Sequence, residues 1–394
     1  MYFSFDISPA VSALLVLTAA AVAVAVVYTA VQSRRIARAR HFCDIAESDD
    51  SDMVYEPVSV VVYSQDEAEA LDKLLRDILT QDYPADMEVI VVNEGESSDV
   101  RDVVDMLKNE YPGLYLTNTP DGARNLSRKK LALTLGVKAA RHSVVVHTAI
   151  GAEILSPRWL RGMARHFSQA SPVEVVIGYA APSADSDFGR GARCRAFDGA
   201  VRAARWLGAA VAGHPFRATE LNVAYRREAF FRNKGFSRSL NLHFGDDDIF
   251  ISEIANGENT AVELGGESIL GVLAHDYSAE MRRTAMRHIF TEGHIRRRPR
   301  LWASLSSVCV PLSLCSAVAA VVLESGNSFV LSASAVMEVV LAAGITLGWR
   351  RVQEATGVRV LGASVFPLAL GYPFRRALLS VRARYSKQKR YTWD

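Results

Sequence analysis

The chain carries three adjacent carboxylates, Asp246-Asp247-Asp248. Their mutual repulsion raises at least one pKa toward the range a proton acceptor needs. The same run also suits a helix N-terminus, because Ile249-Phe250-Ile251 and Ile254 follow at helical spacing. A second charged run, Arg128-Lys129-Lys130, offers cations to an anionic ligand or simply forms a solvated helix face. Arg287-His288 is a further basic pair, close to an apolar stretch. The four cysteines, Cys43, Cys194, Cys309 and Cys315, show neither metal-ligand spacing nor a disulfide framework, which fits a reducing compartment. A net charge of +2 on 394 residues implies no polyelectrolyte partner, so no nucleic acid is expected.

The elements that must position these groups lie between about residues 55 and 277. Val58–Tyr63, Glu88–Val92, Leu114–Leu116 and Ser143–His147 read as strands, the first rich in β-branched residues. Ala68–Leu79, with Leu71, Leu74, Leu75, Ile78 and Leu79 at helical spacing, is a helix, as are Asp99–Leu107 and Ser127–Ala140. Strand and helix alternate, which predicts βαβ units, a mostly parallel sheet and the α/β class. Ligands bind at the carboxyl ends of such strands, here Tyr63–Glu67, Asn93–Asp99 and His147–Glu153.

Hydrophobic residues make up 49% of the chain, an ordinary mean that hides apolar ends around a polar middle. Val11–Val31 is uncharged and long enough to span a bilayer within an anchor at 9–32. Arg34, Arg35, Arg38 and Arg40 follow it, and no Lys or Arg precedes it, the reverse of a cleavable signal. Further spans are expected at 302–323 and 329–349, with Arg296, Arg297, Arg298 and Arg300 before the pair and Arg350 and Arg351 after it. All three agree on one topology in the inner (plasma) membrane: N-terminus outside, middle domain cytoplasmic. Residues 278–300 form a basic juxtamembrane segment, and 358–394 an interfacial segment with a basic tail suited to anionic lipid. Glu338, in mid-span, is expected to face protein or water, where contact with a lipid-linked acceptor and a plain interhelical hydrogen bond are both open.

Several blocks resemble glycosyltransferase family 2, whose members have the GT-A fold. They are Pro57–Glu67, Gln81-Asp-Tyr-Pro84 with Glu88–Gly95, Ser127–Val137, Ser156–Leu160, Asn222–Arg227, Lys234-Gly-Phe236 and Gly245–Ile249, in the family's order. The resemblance implies a GT-A domain over 55–277 with three transmembrane helices, and a membrane-anchored bacterial type. It implies inverting transfer of a sugar from a nucleotide sugar (UDP or GDP type) to a lipid-linked or polysaccharide acceptor. Asp66, Glu67 and Glu94 then fall where ribose or base is held, and Lys129, with Arg128 as a neighbour, near the diphosphate. Asp247 or Asp246 falls at the general base. Asp248, Arg287 and His288 face acceptor or diphosphate, the last two from a modified Gln-x-x-Arg-Trp motif that begins here at Thr284.

One family feature is missing. The metal motif Asp-x-Asp belongs between Thr148 and Ser156-Pro157, but those positions hold Ala149 and Gly151. Neither has a side-chain oxygen for the Mg²⁺ or Mn²⁺ the family uses. Three explanations are open: a ligand displaced to Glu153 or His147, neutralisation of the diphosphate by basic residues without metal, or a degenerate subunit that partners an active glycosyltransferase.

Overall fold

The computed structural model describes residues 6–49, 53–95, 97–120, 126–167, 171–182, 190–272, 277–295, 298–358 and 365–385. The chain runs α1 (Pro9–Ser48), β1 (Val58–Ser64), α2 (Ala68–Leu79), β2 (Met87–Asn93), α3 (Ser98–Lys108), β3 (Leu114–Asn118), α4 (Arg128–Ala139), β4 (Val144–Ala149), β5 (Ala152–Glu153), α5 (Trp159–Ala164), β6 (Val175–Ile177), β7 (Ala180–Pro182), α6 (Arg190–Val211), β8 (Val223–Arg226), α7 (Arg227–Arg232), α8 (Ile249–Ile254), β9 (Thr260–Val262), β10 (Leu270–Val272), α9 (Tyr277–Thr291), α10 (Arg298–Leu323), α11 (Ser328–Thr356) and α12 (Val365–Tyr385). It divides into two compact units: Met1–Ala37 with Phe188–Gly208 and Arg296–Arg382, and Arg38–Asp187 with Ala209–Ile295 and Ala383–Asp394.

The second unit is α/β. Its seven-stranded sheet has the order β3-β2-β1-β4-β8-β6-β9. The first four strands are parallel, and β8 runs antiparallel to both β4 and β6. The Val runs of β1, β2 and β4 are buried along their length, as expected of strands covered on both faces. Helix α2 places Leu71, Leu74, Leu75, Ile78 and Leu79 in that core. Each fully buried Leu or Ile contributes about 1.5–3 kcal/mol. Ser127 caps α4 by accepting from the Lys130 amide. Gly136 lets α4 lie against the sheet, since a Cβ there would sit 2.6 Å from Val61 Cγ1 and 2.9 Å from Val92 Cγ2. The ladder Val58↔Met87 through Ser64↔Asn93 brings the carboxyl ends of β1 and β2 level. A smaller sheet has the order β5-β10-β7.

In the first unit, α1, α10 and α11 are each long and apolar enough to cross a membrane. Helix α1 continues beyond position 32 to Ser48. At 1.5 Å per residue it is roughly 60 Å long, about twice a hydrocarbon core. Thr18 Oγ1 and Ser316 Oγ are 2.8 Å apart, tying α1 to α10. Gly348 meets Thr29 where a Cβ would lie 2.5 Å from its Cγ2, so α1 and α11 approach closely there. Glu338 is half-buried on α11. Of the expected interfacial segment, α12 is described. Residues 359–364 and 386–394, which hold Arg359 and most of the basic tail, lie outside the described residues, as do Arg296 and Arg297.

Candidate active site

The carboxyl ends of β1 and β2 are stitched together by Asp66 and Asn93. The Asp66 amide donates to Asn93 Oδ1 (3.1 Å), and Asn93 Nδ2 donates back to Asp66 Oδ1 (2.8 Å). Asp66 has φ +57°, a left-handed conformation that Asp tolerates better than most residues. Gly95 faces it with φ +144°, and a Cβ there would collide with the Asp66 carboxyl. Glu67 is exposed at the start of α2. Glu94, one residue past β2, accepts from the Tyr63 hydroxyl and lies 3.5 Å from Arg128 Nε. Burial and the Glu94 carboxylate push the Tyr63 phenol well up, so it stays a donor. Ser64 Oγ, Thr119 Oγ1 and Thr148 Oγ1 are buried along this edge with no hydrogen-bond partner among the described residues.

The acidic triplet meets the basic helix. Lys129 Nζ donates to Glu220 and lies 2.7 Å from Asp246 Oδ2. Arg287, from α9, binds Glu220 through both Nη1 and Nη2. It also lies 3.5 Å from Asp246 and 3.7 Å from Asp247. The Lys129 ammonium stands 5.4 Å from the Tyr63 ring centre, and the Arg287 guanidinium 5.6 Å from that of Phe244. The side chains of Lys129 and Glu220 are each 22% exposed, so the cluster is open to a ligand.

The three aspartates differ in their surroundings. Burial opposes the charge on Asp246, but Lys129 and Arg287 outweigh it and hold the carboxyl below its usual range. Burial pushes Asp247 up to about 8; Arg287 works against this, and Asp248 and Asp246 add to it. Asp248 is committed elsewhere. It caps α8 by accepting from the Ile249 amide at 2.8 Å, receives the Thr291 hydroxyl, and lies 3.2 Å from Arg217. The triplet is therefore divided: Asp248 caps α8, while Asp247 is the carboxyl that burial pushes up.

The adjacent lysines also part company. Lys130, fully buried, donates to the carbonyls of Ser239 (2.6 Å), Leu242 (3.2 Å) and Phe244 (2.9 Å). Burial lowers its pKa to about 8. It clasps the loop that delivers Asp246 and Asp247 and is not a ligand cation. The main-chain carbonyl of His288 accepts from Arg217 at 3.2 Å, and Thr284 lies one turn earlier on α9. Glu220, Arg217 and Thr291 are the residues that sequence reasoning missed. Glu220 had a faint signal: a lone carboxylate two positions before the Asn222 block.

The position of the missing metal motif holds no replacement. Ala149 is buried at the end of β4, and Gly151 has φ +101°, strained for any L side chain. His147 is buried 2.5 Å from the Tyr225 hydroxyl and stacked on that ring; burial lowers its pKa to about 3 and keeps it neutral. Glu153 lies 3.9 Å from Lys73 of α2. Among the described residues no three His, Cys, Asp or Glu side chains gather to hold a metal ion. This donor set does not fit Mg²⁺ or Mn²⁺. Asn222 proves structural: it accepts from Trp159 Nε1 (3.0 Å) and donates to the carbonyls of Tyr179 and Ser268.

A mostly parallel sheet with its charged site at the strand ends is the GT-A arrangement, and one solved structure agrees in fold. The mannosyltransferase PcManGT from Pyrobaculum calidifontis, in complex with GDP-Man and Mn²⁺, is similar over 93% of this chain and 99% of its own, with a TM-score of 0.53 and 19% identity. Glucosyl-3-phosphoglycerate synthase from Mycobacterium tuberculosis matches less well, at TM-score 0.37 and 14% identity over 70% of this chain and 82% of its own. Mannosyl-3-phosphoglycerate synthase from Rubrobacter xylanophilus gives TM-score 0.38 and 14% identity over 66% and 80%. No curated protein sequence matches the chain. The family model described as glycosyltransferase like family 2 matches residues 56–251. Residues 56–251 therefore form a domain of the family 2 type of glycosyltransferases, with the GT-A fold, in a chain that also has three helices long and apolar enough to span a membrane.

Proposed function

We propose that the protein is an inverting glycosyltransferase that uses a nucleotide sugar and works at the cytoplasmic face of the plasma membrane. Asp247 takes the proton of the acceptor hydroxyl. The hydroxyl oxygen then bonds to the anomeric carbon from the face opposite the diphosphate. The bond from that carbon to the diphosphate oxygen breaks, and the nucleoside diphosphate leaves with the electron pair. The observation that carries this reading is the placement of Asp247, a buried carboxyl whose ionised form is a strong enough base to take a proton near neutrality, 3.7 Å from Arg287, which shares Glu220 with Lys129. Asp66, Glu67, Glu94 and Arg128 are assigned to the nucleoside side. Lys129 and Arg287 are assigned to the diphosphate, where fixed cations stabilise developing negative charge. His288 is assigned to the acceptor side.

The arginines after α1's apolar stretch and around α10 and α11 support the cytoplasmic placement. The three apolar helices favour a lipid-linked or membrane-proximal acceptor in envelope polysaccharide assembly. A second reading, a non-catalytic partner of another glycosyltransferase, is favoured by Ala149 and Gly151 alone.

Calorimetry of UDP and GDP against the detergent-purified full chain, with Mn²⁺ and with EDTA, separates the two. Binding is expected in both buffers. Absence of binding by either nucleotide in any buffer would leave the non-catalytic reading in its place.

A further inference from the structure

Lys129 and Arg287 are brought together by Glu220. The carboxylate takes the Lys129 ammonium on Oε2 and spreads the Arg287 guanidinium across both of its oxygens. An arginine fork plus a lysine point charge on two oxygens is also the pattern by which proteins grip phosphate. The formal charges of Lys129, Arg287, Glu220 and Asp246 cancel, so the fork is already neutralised. Glu220 lies in a turn before β8, not in a ladder, so its side chain can leave without costing a strand hydrogen bond. Asp246, by contrast, follows the loop that Lys130 clasps and is 7% exposed.

We propose that the Glu220 carboxylate is a built-in counter-anion for the diphosphate site: it holds Lys129 and Arg287 as a fork until the donor's diphosphate displaces it. The fork then does the neutralising for which positions 149 and 151 supply no metal ligands. This inference rests on the nucleotide-sugar reading above. It makes Glu220 a positioning residue that competes with the donor.

The test is calorimetry in EDTA on the full chain, using inorganic pyrophosphate, UDP, GDP and the nucleosides uridine and guanosine. Pyrophosphate and both diphosphates are expected to bind the wild type. Glu220→Gln should bind them about tenfold tighter, because the competent fork is no longer occupied. Glu220→Asp, which keeps the charge, should show no such gain. Lys129→Met and Arg287→Met should each lose about tenfold or more. An E220Q protein that melts like the wild type but binds no tighter overturns the proposal. Should E220Q melt early, the two cation variants decide alone, and unchanged pyrophosphate affinity in either one overturns it. Nucleoside binding without pyrophosphate binding overturns the counter-anion but leaves the donor reading standing. Loss of every ligand overturns both.

Discussion

Two neighbouring regions of the GT-A domain have gone in opposite directions. The turn after β4, where the family keeps its metal aspartates, is bare of suitable oxygens: Ala149 is buried, Gly151 takes a φ that would strain any L side chain, and His147 is held by Tyr225. The cluster between α4, α8 and α9 is dense in charge, with two cations set among Glu220, Asp246 and Asp247. On the proposed reading, the difference means that the positive charge needed beside a diphosphate comes from side chains. Side-chain cations need counter-charges to stand together without a ligand, which is what Glu220 and Asp246 supply.

The strongest way to break this contrast is to remove the base. Asp247→Asn should lower transfer about 10²–10⁴-fold, the usual span for general-base loss. In the wild type the rate should fall as pH drops through about 8, because the buried carboxyl is then protonated and can accept nothing. Stability carries the opposite sign. From about pH 4 upward the unfolded chain has lost this proton while the folded chain still holds it. The wild type therefore loses stability as pH rises from about 4 to 8, and Asn does not. Melting curves should show D247N gaining on the wild type across that window. A flat difference would refute the raised carboxyl.

Next in size is the fork. Lys129→Met or Arg287→Met should cost about 10²–10³-fold in turnover, as loss of one preorganised charge does elsewhere. The neighbour supplies the control. Lys130→Met leaves three carbonyls, two of them buried, without their donor and should destabilise the fold by about 3 kcal/mol. Both variants should melt earlier, K129M because Asp246 and Glu220 lose a counter-charge, so nucleotide affinity of the folded proteins separates them: K130M should bind UDP like the wild type and K129M should not. Equal loss of UDP affinity in the two variants would erase the division of labour between the lysines.

That division shows where the sequence stops being legible. Strands β1, β2 and β4 were readable because β-branched runs buried on both faces leave one interpretation, and α2 because its leucines keep one period, whereas the short strands β5 to β10 carry no run of that length. The cation run was visible, but consecutive helix residues point about 100° apart, so only the fold assigns Lys129 to the cluster and Lys130 to the loop carbonyls. The triplet was visible too, yet capping and base chemistry use the same residue type, and the separation of Asp248 from Asp247 depends on Arg217 and Thr291, distant in sequence. Glu220 left only the faint signal of its place before the Asn222 block, because its meaning lies in contacts with α4 and α9. The extension of α1 to Ser48 was not legible because the apolar run that marks the anchor ends at Val31.

The smallest expected effect is the most pointed test of the bare turn. Glu153 is the carboxylate nearest in sequence to the lost motif, and a metal rebuilt there would have to use it. Its backbone pairs with Gly271 in the small sheet, and its side chain lies 3.9 Å from Lys73. A partly exposed pair of this kind contributes little, about 0–1 kcal/mol. Glu153→Gln should therefore keep turnover and nucleotide affinity within about twofold of the wild type, with and without Mn²⁺. A large loss that appears only in Mn²⁺ would mean that Glu153 swings to a cation when donor binds. The charge would then not have moved to α4 and α9 at all, and Lys129 and Arg287 would be assisting a metal instead of replacing it.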